Sequence, residues 1–380
     1  MFIIYLVISI SCILITSRTL VAYGDYSTVT KILIYILFTI SWFSPIIIWS
    51  LQSKGWLPLN VYNLLAKTGY FLFGFAFILV MLILMRDIVW SITYYLSGKQ
   101  ILSPIDNFAL KFANCITVFI ALCLGVYSVY SAEKLPKVLN YEYSDSRIKE
   151  PLKIMMISDI HINKMYSMKK VKKFVKYIND LKPDVLLMVG DIADDKLSDI
   201  KNKITELGKL KAPLGIYYVL GNHETYFDAF AWEAEFASLG WRVLHNSGIS
   251  IEDKGLYIAG LPDNRRFPIN IKQSLNQAKD DDFRIMLSHL PEVAHKIAEN
   301  KVDIQVSGHT HGGQIFPFNF ISKSANKGFL AGEYTLGNTK VLVSRGAGYW
   351  GPPMRLFAPN DIIMINLKPI NQVTRENENG

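Results

Sequence analysis

The stretch "KIMMISDIHINKMYSMKKVKKFVKYINDLKPDVLLMVGD", Lys153–Asp191, reads as strand, helix, strand. A short apolar run, "KIMMIS", leads into Asp159 and His161. Within "MKKVKKFVKYINDLKPD", Val171, Phe174, Val175, Ile178 and Leu181 fall at helical spacing. A second apolar run, "DVLLMV", then ends at Gly190 and Asp191. Strand, crossover helix and strand imply a parallel pair. The C-terminal ends of parallel strands share one edge, where α/β proteins build their sites. Asp159, His161 and Asp191 are therefore expected side by side.

Downstream the same pattern recurs. "GIYYVL" is followed by Gly221, Asn222, His223 and Glu224, "RIMLS" by His289, and "DIQVS" by Gly308, His309 and His311. In "VSGHTHGGQ", Val306–Gln314, the two histidines are two residues apart and point to one side if the segment is extended. Five of the seven histidines fall in these clusters, whereas His245 and His295 are assigned ordinary surface or packing roles. Neutral imidazoles, carboxylates and one amide oxygen suit two mid-row divalent ions such as Mn²⁺, Fe²⁺ or Zn²⁺. A pair of ions ~3.5–4 Å apart can hold a shared hydroxide and stabilise both oxygens of an in-line displacement at phosphorus.

The blocks "DIH", "GD", "GNHE", "SH" and "GHTHGG", in this order over about Pro151 to Leu367, resemble the calcineurin-like metallophosphoesterase superfamily. The continuation "GGQ" and the segment "SRGAGYWGPPMRLFAPNDI" are most similar to its membrane-associated bacterial branch. The segment departs from that pattern at Ala358–Ile362, "APNDI", where an acidic residue directly after proline is commoner. The resemblance implies an α/β fold, a four-layer α/β/β/α sandwich of two mixed sheets with helices outside. It implies that Asp159, His161 and His311 hold one ion, that Asn222, His289 and His309 hold a second, and that Asp191 bridges both. His223 would stand beside the substrate, stabilise phosphate charge and protonate the leaving oxygen. Glu224 would at most support its neighbours. Glycines 190, 221, 308 and 312 would permit the tight turns that aim the ligands.

The first third of the chain is of another kind. From Met1 to Tyr130 there is no glutamate, and seven basic residues stand against Asp25, Asp87 and Asp106. Apolar runs at Phe2–Ile15, Ile32–Leu51, Tyr70–Met85 and Phe112–Tyr130 predict about four transmembrane helices over residues 1–130. Residues 131–150 read as a linker that includes one strand, 151–368 as the metallophosphoesterase domain, and 369–380 as a disordered tail. A multi-pass protein of the cell membrane follows, with its N-terminus and large domain on one side. Basic residues beside the spans favour an extracytoplasmic domain by five to four. Cys12, Cys115 and Cys123 form no CxxC pair, which speaks against cysteine zinc sites and redox chemistry. Beyond Tyr130, 33 basic residues against 29 acidic ones make a weak excess, which disfavours nucleic acid as a partner. The lysine-rich face of Lys169–Lys176 reads as solvated, and the "RR" at Arg265 and Arg266 as a surface loop or a phosphate contact.

The expected function is a membrane-anchored, two-metal phosphoesterase that cleaves a phosphomonoester or phosphodiester by attack of a metal-bridging hydroxide. A phosphorylated lipid or lipid-linked precursor is one substrate class, since the spans would hold the domain near the bilayer. The alternative is a membrane sensor or scaffold that binds a phosphorylated ligand without turnover. Oligomeric state has no readable signal.

Overall fold

A computed structural model describes residues 2–22, 26–54, 56–98 and 107–370. The chain divides into two compact units, one made of Met1–Glu133 with Gly351–Leu356 and the other of Lys134–Trp350 with Phe357–Gly380. The tail expected at "NQVTRENENG" lies outside the described residues.

The first unit contains α1 (Phe2–Ser17), α2 (Thr28–Lys54), α3 (Leu59–Leu96) and α4 (Asn107–Glu133). Three stretches, Thr28–Leu51, Leu59–Leu96 and Lys111–Glu133, are helical, long and apolar enough to cross a membrane. The first apolar run forms the shorter α1, because polar Ser17, Arg18 and Thr19 follow it; the chain continues there as a π-helix, Arg18–Ala22. Helix α3 runs well past the apolar window read from sequence, since flanks that mix apolar residues with Asn63, Lys67, Arg86 and Asp87 keep helical geometry as well. Trp49, Leu64, Ile88 and Phe119 are each more than half exposed, as a lipid-facing surface would be. Polar contacts fasten the interior: Arg86 Nη1 donates to Asn114 Oδ1 at 2.7 Å, and Ser44 Oγ to the Gly69 carbonyl at 2.7 Å. Gly351–Leu356 belongs to this unit too. The Arg355 N–H donates to the Ser128 carbonyl at 2.9 Å, and Met354 packs where any Cβ at Gly74 would collide with it.

The second unit is α/β with two mixed six-stranded sheets. Its strands are β1 (Lys137–Asp145), β2 (Leu152–Ile157), β3 (Val185–Val189), β4 (Ile216–Val219), β5 (Arg242–Val243), β6 (Ser247–Ile251), β7 (Leu256–Gly260), β8 (Phe283–Leu287), β9 (Ile304–Ser307), β10 (Gly332–Leu336), β11 (Thr339–Val343) and β12 (Asp361–Pro369). One sheet has the order β1-β12-β2-β3-β4-β5, and β2 to β5 run parallel. The other has the order β10-β11-β9-β8-β7-β6, with β7, β8, β9 and β11 parallel. Within the stretch read as linker, Lys137–Asp145 is β1, paired in parallel with β12 from Lys137–Asp361 to Asp145–Pro369.

Alternation along the strands builds two cores. Ile154 and Met156 of β2 join Leu187 of β3 in a buried cluster with Ile258, Ile285 and Val306 of the other sheet. Met155 and Ile157 point the opposite way, into a cluster with α5 (Met168–Asp180), α6 (Leu197–Leu207) and Trp232 and Phe236 of α8 (Ala229–Ser238). Helix α7 (Asn222–Phe227) follows β4, and short α9 (Ile271–Ser274), α10 (Ala294–Ile297) and α11 (Phe318–Ala325) accompany the second sheet. Strands buried on both faces explain why "IMMI" and "VLLMV" are continuous apolar runs without a polar side.

Candidate functional site

Each cluster read from the sequence follows the C-terminal end of a parallel strand. Asp159 and His161 follow β2, Asp191 follows β3, Asn222 and His223 open α7 after β4, His289 follows β8, and His309 and His311 follow β9. The loops are tied to one another by main chain. The Asp159 N–H donates to the Gly190 carbonyl, the His161 N–H to the Asp191 carbonyl (both 3.0 Å), and the Gly308 N–H to the His289 carbonyl at 3.1 Å. Such ties fix the carboxylates and imidazoles relative to each other before anything binds.

The backbone at these positions is unusual. Asp159, His161, Asp191, His309 and His311 all have positive φ, between 51° and 70°. Left-handed backbone in non-glycine residues is uncommon and clusters where surrounding structure holds side chains for function. Gly190 and Gly221 approach so closely that a Cβ on Gly190 would stand 2.6 Å from the Gly221 Cα. On Gly221 it would stand 2.2 Å from Asp191 Oδ1, so neither position admits a side chain.

Two groups of donors result, all buried except the half-buried His309. Asp159, His161 and His311 offer ligand atoms within 4.8 Å of one another, and so do Asp191, His289 and His309. Asp191 Oδ2 stands between the groups, 3.7 Å from His161 Nε2 and 3.2 Å from His289 Nε2. His161, Asp194 and His223 form a third group of the same kind. Asn222, which completes the seven expected ligands, turns its amide nitrogen to the Tyr226 hydroxyl at 3.0 Å.

The donors fit divalent cations. The His289 Nδ1–H donates to the Val189 carbonyl at 2.8 Å, so in a neutral ring Nε2 carries a lone pair that faces a carboxylate oxygen. His161 Nε2 and His311 Nε2 are 3.0 Å apart, an approach that two imidazoles tolerate only with a proton or a cation between them. Asn222 Oδ1, His289 Nε2 and His161 Nδ1 are buried without a hydrogen-bond partner among the described residues. Buried polar atoms left so are costly unless something else satisfies them. Electrostatics agree. Burial alone would lower the His289 imidazole, but the Asp191 charge outweighs it and raises it to about 10. His309 is pushed down to about 3 by burial and by the neighbouring His289. Burial opposes the charge on Asp159 and Asp191, yet the imidazoles hold both carboxyls below their ordinary value. Positive charge is thus wanted at the centre of the site.

His223 is arranged differently. Its Nδ1 is 2.7 Å from Asp194 Oδ1, and its backbone N–H donates to Asp191 Oδ1 at 2.8 Å. Burial lowers this imidazole, but Asp194 and Asp191 prevail and raise it to about 10. Tyr226 and Trp350 flank its ring, at centroid distances of 5.0 and 6.2 Å.

Sequence reasoning missed Asp194, although a second acid three positions after Asp191 was a visible signal. It also undervalued Glu224. This fully buried carboxylate accepts from the N–H groups of Asp191 (3.0 Å), Ile192 (2.7 Å), Ala193 (2.9 Å) and Gly221 (2.9 Å), so it clasps two site loops together. The departure at "APNDI" resolves into a role for Asp361. It accepts from Ser344 Oγ at 2.6 Å and Arg345 Nη1 at 2.9 Å, and thereby holds the turn that carries Gly346 against Asp159. His245 pairs with Glu233 at 2.9 Å, and the His295 ring lies tilted 5.6 Å from that of Phe329, both outside the site. Arg265 and Arg266 are exposed in the loop after β7.

The family model for calcineurin-like phosphoesterases matches residues 152–313. An uncharacterized metallophosphoesterase of Campylobacter jejuni is 37% identical over 266 residues, which cover 65% of this chain and 68% of that protein. A transmembrane protein with metallophosphoesterase domain from Danio rerio is 32% identical over 272 residues, 67% of this chain and 62% of its own length. An uncharacterized metallophosphoesterase of Aquifex aeolicus is 31% identical over 266 residues, 66% of this chain and 98% of its own length. The chain spans about two thirds of the length of the first two. It belongs to the calcineurin-like phosphoesterase family and is a metal-dependent phosphoesterase.

Proposed function

We propose that the chain is a membrane-anchored phosphoesterase that uses two divalent ions, Mn²⁺, Fe²⁺ or Zn²⁺, to hydrolyse a phosphomonoester or phosphodiester, phosphorylated lipids included. The observation that carries this reading is Asp191 Oδ2, which lies within 3.7 Å of one donor group and 3.2 Å of the other. Asp159, His161 and His311 would hold one ion, Asn222, His289 and His309 the other, and Asp191 both. When bound, such ions withdraw charge from phosphoryl oxygens and generate a nucleophile from water at neutral pH. The chain's own part is positioning and proton transfer. His223 gives its Nδ1 proton to the bond with Asp194, which leaves Nε2–H of the imidazolium free to protonate the leaving oxygen. The core clusters that alternate along β2 support a four-layer α/β/β/α arrangement of the catalytic unit.

The helical unit is read as the anchor. Helix α1 has 16 residues and its π-helical continuation five, together about the length that crosses a ~30 Å hydrocarbon core, so we count four crossings. The excess of basic residues on the opposite loops supports an extracytoplasmic catalytic unit.

Purified full-length protein supplied with Mn²⁺ and given p-nitrophenyl phosphate or bis-p-nitrophenyl phosphate tests the reading. Turnover of at least one ester, lost on chelation and restored by Mn²⁺, is expected. Two bound ions with no turnover of either ester would overturn it.

A further inference from the structure

Among the described residues of the catalytic unit, large exposed apolar side chains gather in the segments that carry the site. Tyr226 is 55% exposed and Trp350 47%, and both flank His223. Beyond the loop of His309 and His311 comes α11, "FNFISKSA", which is built inside out. Its buried residue is Ser322, whose Oγ donates to the Thr310 carbonyl at 3.1 Å, while Phe318, Phe320 and Ile321 are 42%, 65% and 61% exposed. Phe357 is 66% exposed and has a φ of 60°, a conformation that bulky residues avoid unless something holds them in it. The Phe316 ring joins the two, 5.9 Å from Phe320 and 6.0 Å from Phe357. A helix that turns serine inward and phenylalanine outward is unstable as a water-facing design.

We propose that this rim docks into a lipid bilayer, and that the substrate of the adjacent site is a phosphoester carried by a membrane lipid. Two observations choose lipid as the occupant. The exposed side chains are aromatic and aliphatic, as interfacial anchors are. Lys323 and Lys327, both exposed, follow the aromatics, and no acid lies in the helix, which suits anionic headgroups. The substrate class rests on the phosphoesterase reading above, whereas the docking surface does not.

The experiment keeps the two apart. Full-length protein with Cys12, Cys115 and Cys123 replaced by alanine is reconstituted in vesicles of phosphatidylcholine and phosphatidylglycerol. A nitroxide is attached through Phe320→Cys, or through Lys211→Cys as a solvated reference. The label at 320 is expected to collide preferentially with oxygen and to be shielded from a water-soluble nickel complex, and the label at 211 to show the reverse. A label at 320 as open to nickel as that at 211 overturns the docking surface, and immobilisation of such a water-exposed label would point to a protein partner instead. In parallel, Phe320→Ser with Ile321→Ser should lower the ratio of phosphatidic acid turnover to p-nitrophenyl phosphate turnover by about tenfold or more. An unchanged ratio, or p-nitrophenyl phosphate turnover without any lipid turnover by the unaltered protein, overturns the lipid substrate. Absence of turnover on both esters with the label in lipid would refute the phosphoesterase reading and leave the surface standing.

Discussion

At the scale of single residues, the division of labour around Asp191 rests on where each proton sits. His223 is held by Asp194 at 2.7 Å and lies outside the two groups assigned to the ions, Asp159–His161–His311 and Asp191–His289–His309. His223→Ala should therefore leave metal content intact while turnover falls by about 10²–10⁴-fold, the usual contribution of a general acid. The loss should be smaller for nitrophenyl esters than for alkyl esters, whose leaving oxygen needs the proton. Equal losses on both would remove the acid role. If Asp194 acts through His223, Asp194→Asn combined with His223→Ala should cost no more than His223→Ala alone. Additive losses would show that Asp194 acts elsewhere. Glu224 serves geometry. Replacing it by Gln sets an amide NH₂ against N–H donors that now reach a carboxylate, at a cost of about 1–3 kcal/mol for a group left unsatisfied. We expect Mn²⁺ affinity to fall by roughly 10–100-fold with the fold retained, as read by calorimetry and circular dichroism. A lower melting temperature with unchanged Mn²⁺ affinity would make Glu224 merely structural.

At the scale of elements, the site depends on loops that approach too closely for side chains. Gly221→Ala would bring a Cβ within 2.3 Å of the Asp191 backbone nitrogen, a contact the main chain cannot relieve by rotating a side chain. The variant should lose both ions, and near-normal Mn²⁺ content would show that the two loops move independently. This scale also separates what was legible in the sequence from what was not. The strand-end clusters were legible because each ligand follows its own strand within four residues. The roles of Asp194 and Glu224 were not, although Asp194 stands close to Asp191 in sequence, because their partners come from loops about 30 residues away and become neighbours only when β3 and β4 pair. The pairing of β1 with β12 joins residues more than 200 positions apart, and no local pattern encodes such a register. Helix α3 was underestimated because the uninterrupted apolar run is Tyr70–Met85, whereas helical geometry continues through Leu59–Gly69 and Arg86–Leu96.

At the scale of the whole molecule, the buried charges of the metal centre couple ion binding to folding. Two carboxylates and four imidazoles gathered in the interior carry a desolvation cost that bound cations would offset. Free Mn²⁺ at a hundred times its dissociation constant should stabilise the protein by about 2.7 kcal/mol per site. Chelation should accordingly lower the melting temperature by several degrees, and an unshifted melting curve would mean that the site is not loaded. The central claim is that seven side chains hold two ions through one shared carboxylate. The most direct measurement is the metal content per chain, by elemental analysis of Mn²⁺-loaded and dialysed protein, for the unaltered chain and for Asp191→Asn. Two ions in the unaltered chain, and one or none in the variant with turnover largely lost, is the predicted result. Two ions retained by Asp191→Asn with near-normal turnover would contradict it.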